Sequence, residues 1–119
     1  MALQLALVKI PVADLAASLR FYETLLDCKA SFVAEQFGWA QFDHPEPGLA
    51  LYVSGAGGGH RTLGGSVDFH LATADIDALH DQIASVASVA AIHENADGSR
   101  SLEVEDPDRN ILKTMATSQ

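Results

Sequence analysis

The chain has 119 residues, is 48% apolar, and carries 7 basic against 16 acidic residues for a net charge of −9. No basic stripe is available to neutralise phosphates, so neither nucleic acid nor an anionic membrane surface is an expected partner. No apolar run approaches the ~18 residues of a membrane span, and the length suits one domain with a single core.

Leu5 to Val12 predicts a strand that is apolar on both faces and therefore central. It has no basic start and Lys9 interrupts it, unlike a secretory signal. Cys28 is the single cysteine and has no partner for an internal disulfide, so a reducing, cytoplasmic setting is expected. Asp14 stands where a helix N-cap belongs. Leu15, Leu19, Tyr22 and Leu26 then form one helical stripe, and Asp27 ends it. Residues 30–35 and 38–43 predict two strands joined tightly around Gln36. After a turn over His44 to Gly48, residues 49–54 predict a fourth strand, giving β-α-β-β-β for residues 1–54.

Residues 54–66 hold six glycines. The Gly-x-x-x-x-Gly-Lys-Ser/Thr pattern is absent and no helix follows directly, so residues 55–66 predict a flexible linker rather than a phosphate loop. Residues 67–119 repeat the first order. Val67 to Thr73 is a strand; Asp75 caps a helix striped by Ile76, Leu79, Ile83 and Val86; residues 89–94 and 100–105 pair across an Asp97-Gly98 hairpin turn. Asp106 to Asn110 forms a turn, residues 111–115 close the module, and the last few residues fray. Asp75 lies 61 residues after Asp14, and Asp106-Pro107 lies 62 after His44-Pro45, so the chain is an internal duplication.

Val12-Ala13-Asp14-Leu15, the run from Ser18 to Leu26, and Asp106-Pro107-Asp108-Arg109-Asn110 resemble the glyoxalase / bleomycin resistance protein / extradiol dioxygenase superfamily, the vicinal oxygen chelate proteins. The family often has Gly where Asp27 and Arg109 stand. The resemblance implies an α+β fold of two tandem βαβββ modules forming a curved mixed sheet around a cavity. It also implies a homodimer, sometimes with modules exchanged. Metal-dependent members would place their ligands here at Leu7, Leu51, Asp68 and Lys113. Leucine has no lone pair and lysine adds positive charge, so a metal-free member without a cofactor is expected.

Strand alternation carries those positions into a cavity lining. Module one would supply Leu7, Lys9, Trp39, Gln41, Leu49, Leu51 and Val53, with Phe37 nearby. Module two would supply Asp68, His70, Ser101, Glu103 and Lys113. An apolar wall facing a polar one suits a small-molecule ligand. Each residue has a plainer role: Trp39 in the core or a dimer interface, His70 as a hydrogen-bonded interior histidine, Asp68 with Lys113 as an ion pair in a vacated metal site. Lys9 would snorkel to the sheet edge, and Cys28 would pack rather than react. Two functions remain: sequestration of an aromatic or cationic compound such as an antibiotic, or lyase or isomerase chemistry with His70 and Asp68 or Glu103 as acid–base groups.

Overall fold

Two aspartates start the helices of this protein. In a computed structural model, which describes residues 5–44, 46–64, 67, 69–87 and 91–117, the Asp14 carboxylate accepts from the Ala17 N–H at 3.2 Å. Asp75 does the same for Ala78 at 3.0 Å. Each satisfies an orphan donor of the first turn. The chain divides into two compact units, Met1–Leu63 and Gly64–Gln119.

Unit 1 contains β1 (Leu7–Val12), α1 (Leu15–Leu26), β2 (Phe32–Ala34), a 3-10 turn (Glu35–Phe37), β3 (Trp39–Phe42) and β4 (Gly48–Val53). Its sheet order is β1-β4-β3-β2, with β1 parallel to β4 and the other pairs antiparallel. Unit 2 contains β5 (His70–Thr73), α2 (Ile76–Ile83), β6 (His93–Glu94), β7 (Arg100–Glu105) and β8 (Ile111–Ala116). Its order, β5-β8-β7-β6, repeats that of unit 1 strand for strand. The α+β reading as two βαβββ modules is therefore what the chain adopts.

The α1 helix turns a different face inward from the expected one. Ser18, Phe21, Tyr22 and Leu25 are buried, while Leu15, Leu19 and Leu26 are half-buried on its flank. Two apolar stripes share Tyr22, and the one with Phe21 and the small Ser18 wins contact with β3 and β4. In unit 2, α2 stops at Ile83, so Val86 lies beyond it and is exposed. The strand around Val67 begins only at His70, and the one expected from residue 89 shows only His93–Glu94. Residues 88–90 lie outside the described set, as do the last two residues expected to fray.

The hairpin at Asp97-Gly98 is also built differently. Only Gly98 has a positive φ, at 88°, and the Asn95 N–H donates to Ser99 O at 2.8 Å. Three residues make the turn, and Asp97 stabilises it by accepting from the Ser99 N–H and Oγ–H. Among the described residues, the two non-glycine residues with positive φ are Asp27 at 56° and Arg109 at 71°. The family resemblance implies glycine at both positions, and glycine adopts that conformation without steric cost.

Candidate functional site

Paired residues in a sheet project to one face, so the registers sort the side chains. In unit 1, Lys9 pairs with Ala50, Ala50 with Gln41, and Gln41 with Phe32. Trp39 pairs with Tyr52 and with Ala34. One face therefore carries Leu7, Lys9, Phe32, Ala34, Trp39, Gln41, Ala50 and Tyr52. The other carries Ile10, Val12, Ala40, Phe42, Leu49 and Leu51, all buried core residues.

This corrects the placement of Leu51, Leu49 and Val53. Leu51 pairs with Ile10 and Ala40, opposite Lys9 and Trp39. The cause is a slipped repeat. His70 pairs with Lys113, as Lys9 does with Ala50, so the counterpart of Lys113 is Ala50. Six residues separate the paired Phe42 and Leu49, whereas seven separate the corresponding pair Val104 and Leu112, and one residue reverses every side chain. Alanine, like leucine, offers no lone pair, so the corrected position supplies no metal donor. The unit 1 face presents no His, Cys, Asp or Glu, and among the described residues no three such side chains converge. These residues do not fit a divalent-metal centre.

The glycine-rich segment is not a slack connector near unit 1. It folds back onto the sheet. The Gly55 N–H donates to Gly59 O at 2.8 Å, the Arg61 N–H donates to Ser54 Oγ, and Ser54 Oγ–H donates to Arg61 O. A Cβ at Gly58 would stand 2.7 Å from Trp39 Cε3, and one at Gly59 would stand 2.7 Å from Tyr52 Cε2. The absence of side chains lets this strap lie on the two rings.

Lys9 fastens the strap rather than snorkelling to an edge. Its ammonium donates to Gly58 O at 2.7 Å. It also stands 5.0 Å from the Tyr52 ring centroid and 5.9 Å from that of Trp39, within cation–π range. Trp39 is half-buried, and its indole Nε1–H donates to Gln41 Oε1 at 3.3 Å. Beside these groups opens a pocket of about 510 Å³, lined by Lys9, Phe32, Gln36, Phe37, Trp39 and the strap. Phe32 and Phe37 are more than half exposed there, and among the described residues Lys9 is the one charged side chain of the lining.

The matching face of unit 2 is polar and open. His70, Lys113 and Glu103 sit side by side on β5, β8 and β7. His70 and Glu103 are exposed and Lys113 is half-exposed. Lys113 makes no ion pair among the described residues, with the neighbouring Glu103 or any other. Asp68, its expected partner, lies outside the described residues. Ser101 is buried and accepts a long 3.4 Å bond from the Asn95 side-chain amide.

Of the residues expected in the site, Leu7, Trp39 and Lys9 share the unit 1 face, with Phe37 at the pocket rim. His70, Ser101, Glu103 and Lys113 share the unit 2 face. Phe32, Tyr52 and Gly58 were not anticipated. Phe32 and Trp39 alternate correctly with their strands, but the slipped register hid Tyr52, and no local signal marks a glycine that lies on a distant ring.

Tandem βαβββ units with an aromatic sheet face define a class, and comparison assigns it. Residues 4–113 match the model of the Glyoxalase/Bleomycin resistance protein/Dioxygenase superfamily, and the chain belongs to that family. No curated protein matches it. Among solved structures, a superfamily member from Sphaerobacter thermophilus is 20% identical with a TM-score of 0.79, covering 98% of both chains. A glyoxalase-related enzyme from Fulvimarina pelagi is 18% identical with a TM-score of 0.79, covering 96% of this chain and 88% of its own. Lactoylglutathione lyase from Agrobacterium tumefaciens is 16% identical with a TM-score of 0.76, covering 95% and 92%. These likenesses share the fold.

Proposed function

We propose that this chain is a metal-independent small-molecule binding protein whose ligand is aromatic and occupies the unit 1 pocket. The observation that carries the reading is the pocket itself. Its 510 Å³ suits a ligand of one to three rings, and Phe32, Phe37 and Trp39 offer ring faces and edges for stacking. Sequestration of an aromatic antibiotic is one use such a pocket supports. Acid–base catalysis through His70 has less support: the imidazole is exposed and has no hydrogen bond to Glu103 or Lys113 among the described residues. The homodimer remains part of the proposal, since the edge strand β2 exposes Phe32 and Val33. Light scattering at micromolar concentration reads it directly.

Trp39 is the only tryptophan, so its indole N–H gives one resonance that reports this site. Titration with flat two-ring compounds, in protein stripped of metal by chelation, should move that resonance saturably and raise Tm. Metal replacement should not change the affinity. A Trp39 signal unmoved by any such compound overturns the proposal.

A further inference from the structure

We propose that the unit 1 pocket selects aromatic ligands that carry an anionic group, with the Lys9 ammonium as the anchor. The inference deepens the aromatic-binder reading and rests on it. Its first support is the state of Lys9. Lys9 makes no ion pair among the described residues. Its hydrogen bond is to a neutral carbonyl, Gly58 O, and its other neighbours are two ring faces. An ammonium has three donors, and the contact to Gly58 uses one.

The second support is how Lys9 is held. The strap carbonyl on one side and the Tyr52 and Trp39 rings on the other fix the ammonium at the pocket wall. A charged donor fixed before the ligand arrives loses less side-chain freedom on binding. The third is the lining. Among the described residues it is apolar or neutral beyond Lys9, so no carboxylate of these competes for the cation or repels an anion. A cationic ligand would meet a like charge here. A carboxylate or sulfonate attached to a ring system would place its ring between Phe32, Phe37 and Trp39 and its oxygen on Lys9.

The test uses three ligands of one shape: 2-naphthoate, 2-naphthylmethanol and 2-naphthylmethylammonium. Affinities come from calorimetry at low ionic strength, with the Trp39 indole resonance confirming the site. The naphthoate should bind about tenfold more tightly than the alcohol, as a charge-assisted hydrogen bond warrants, and the ammonium compound most weakly. Added salt should narrow the spread. In Lys9→Gln the ratio of naphthoate to alcohol affinity should fall to about one, and Lys9→Arg should keep it well above one. Equal affinities for acid and alcohol in the wild type, or a preference surviving in Lys9→Gln, overturn the anchor role while leaving the aromatic site standing. A preference for the ammonium compound overturns it as well. Failure of all three ligands to move Trp39 removes the aromatic site and this inference together. Should Lys9→Gln fold poorly, the wild-type series alone decides.

Discussion

The two units share one topology and differ on one face. Residue by residue, Lys9 corresponds to His70, Trp39 to Ser101, Gln41 to Glu103, Ala50 to Lys113 and Tyr52 to Met115. Unit 1 has large rings and a small alanine, with a cation tied to a glycine strap. Unit 2 has charges on two neighbouring strands and small or flexible side chains elsewhere. The helix-facing sides did not diverge in this way: Ala40, Phe42, Leu49 and Leu51 in unit 1 and Leu102, Val104 and Leu112 in unit 2 are all buried. Packing against a helix keeps one face apolar in both copies. The opposite face is free to specialise, and in unit 1 it became a pocket.

The duplicated turns before the last strand of each unit differ most in what they should cost to break. Asp106 is buried, and its carboxylate accepts from the Asp108 and Asn110 backbone N–H groups and the Asn110 amide, at 2.8 to 2.9 Å. Its counterpart in the sequence repeat, His44, is exposed. Asp106→Ala should therefore destabilise the protein by about 3 kcal/mol in a urea melt, because buried donors lose a charged acceptor. His44→Ala should stay within about 0.5 kcal/mol. Equal costs for the two variants would mean that the turns are built alike.

That pair of turns also marks where the sequence was legible. Alternation, two capping aspartates and the repeat were enough for the order of elements in both units, because those signals are local. The face of β4 was not legible, because it depends on one residue in the length of a turn that Asp106 organises in unit 2 and His44 does not in unit 1. The strap was hidden for another reason. A run of glycines looks like freedom in sequence, whereas Gly58 and Gly59 are needed where a side chain would strike Trp39 and Tyr52. The slip also put Tyr52 on the wrong face, so the second ring beneath the strap went unseen.

Gly58→Ala tests that strap. The added methyl would stand 2.7 Å from Trp39 Cε3 and 3.1 Å from Tyr52 Cβ, so the ring or the strap has to move. Overpacking of this kind costs roughly 1–3 kcal/mol. The Trp39 indole resonance should shift in the same variant. An unchanged melt with an unshifted indole would show that the strap does not lie on the ring, and the contrast between the two faces would lose its main feature.

The smallest effect concerns a contact that unit 2 has and unit 1 lacks. Arg100 at the start of β7 donates to Asp77 in the first turn of α2 at 2.8 Å, tying helix to sheet. At the offsets of the repeat, the unit 1 positions are Ala16 and Gly38, which carry no charge. The hydrogen bond from Arg100 is the main cause that holds the Asp77 carboxyl below its ordinary value. The same bond to Asp77 raises Arg100. A carboxyl depressed in the folded state contributes stability above its unfolded pKa and loses it as pH falls through the folded one. The raised arginine loses its contribution only in strong alkali. The accessible window is therefore acid, below about pH 4. Both side chains reach solvent, so the stabilisation is screened, and the titration itself is the better readout. In Arg100→Met the Asp77 carboxyl resonance should titrate at a higher pH than in the wild type, with the pH 7 melt little changed. Added salt should move the wild-type midpoint part of the way toward the variant's. Identical midpoints in the two proteins would mean that α2 is not tied to β7 in solution, and that the helices of the two units are held to their sheets by packing alone.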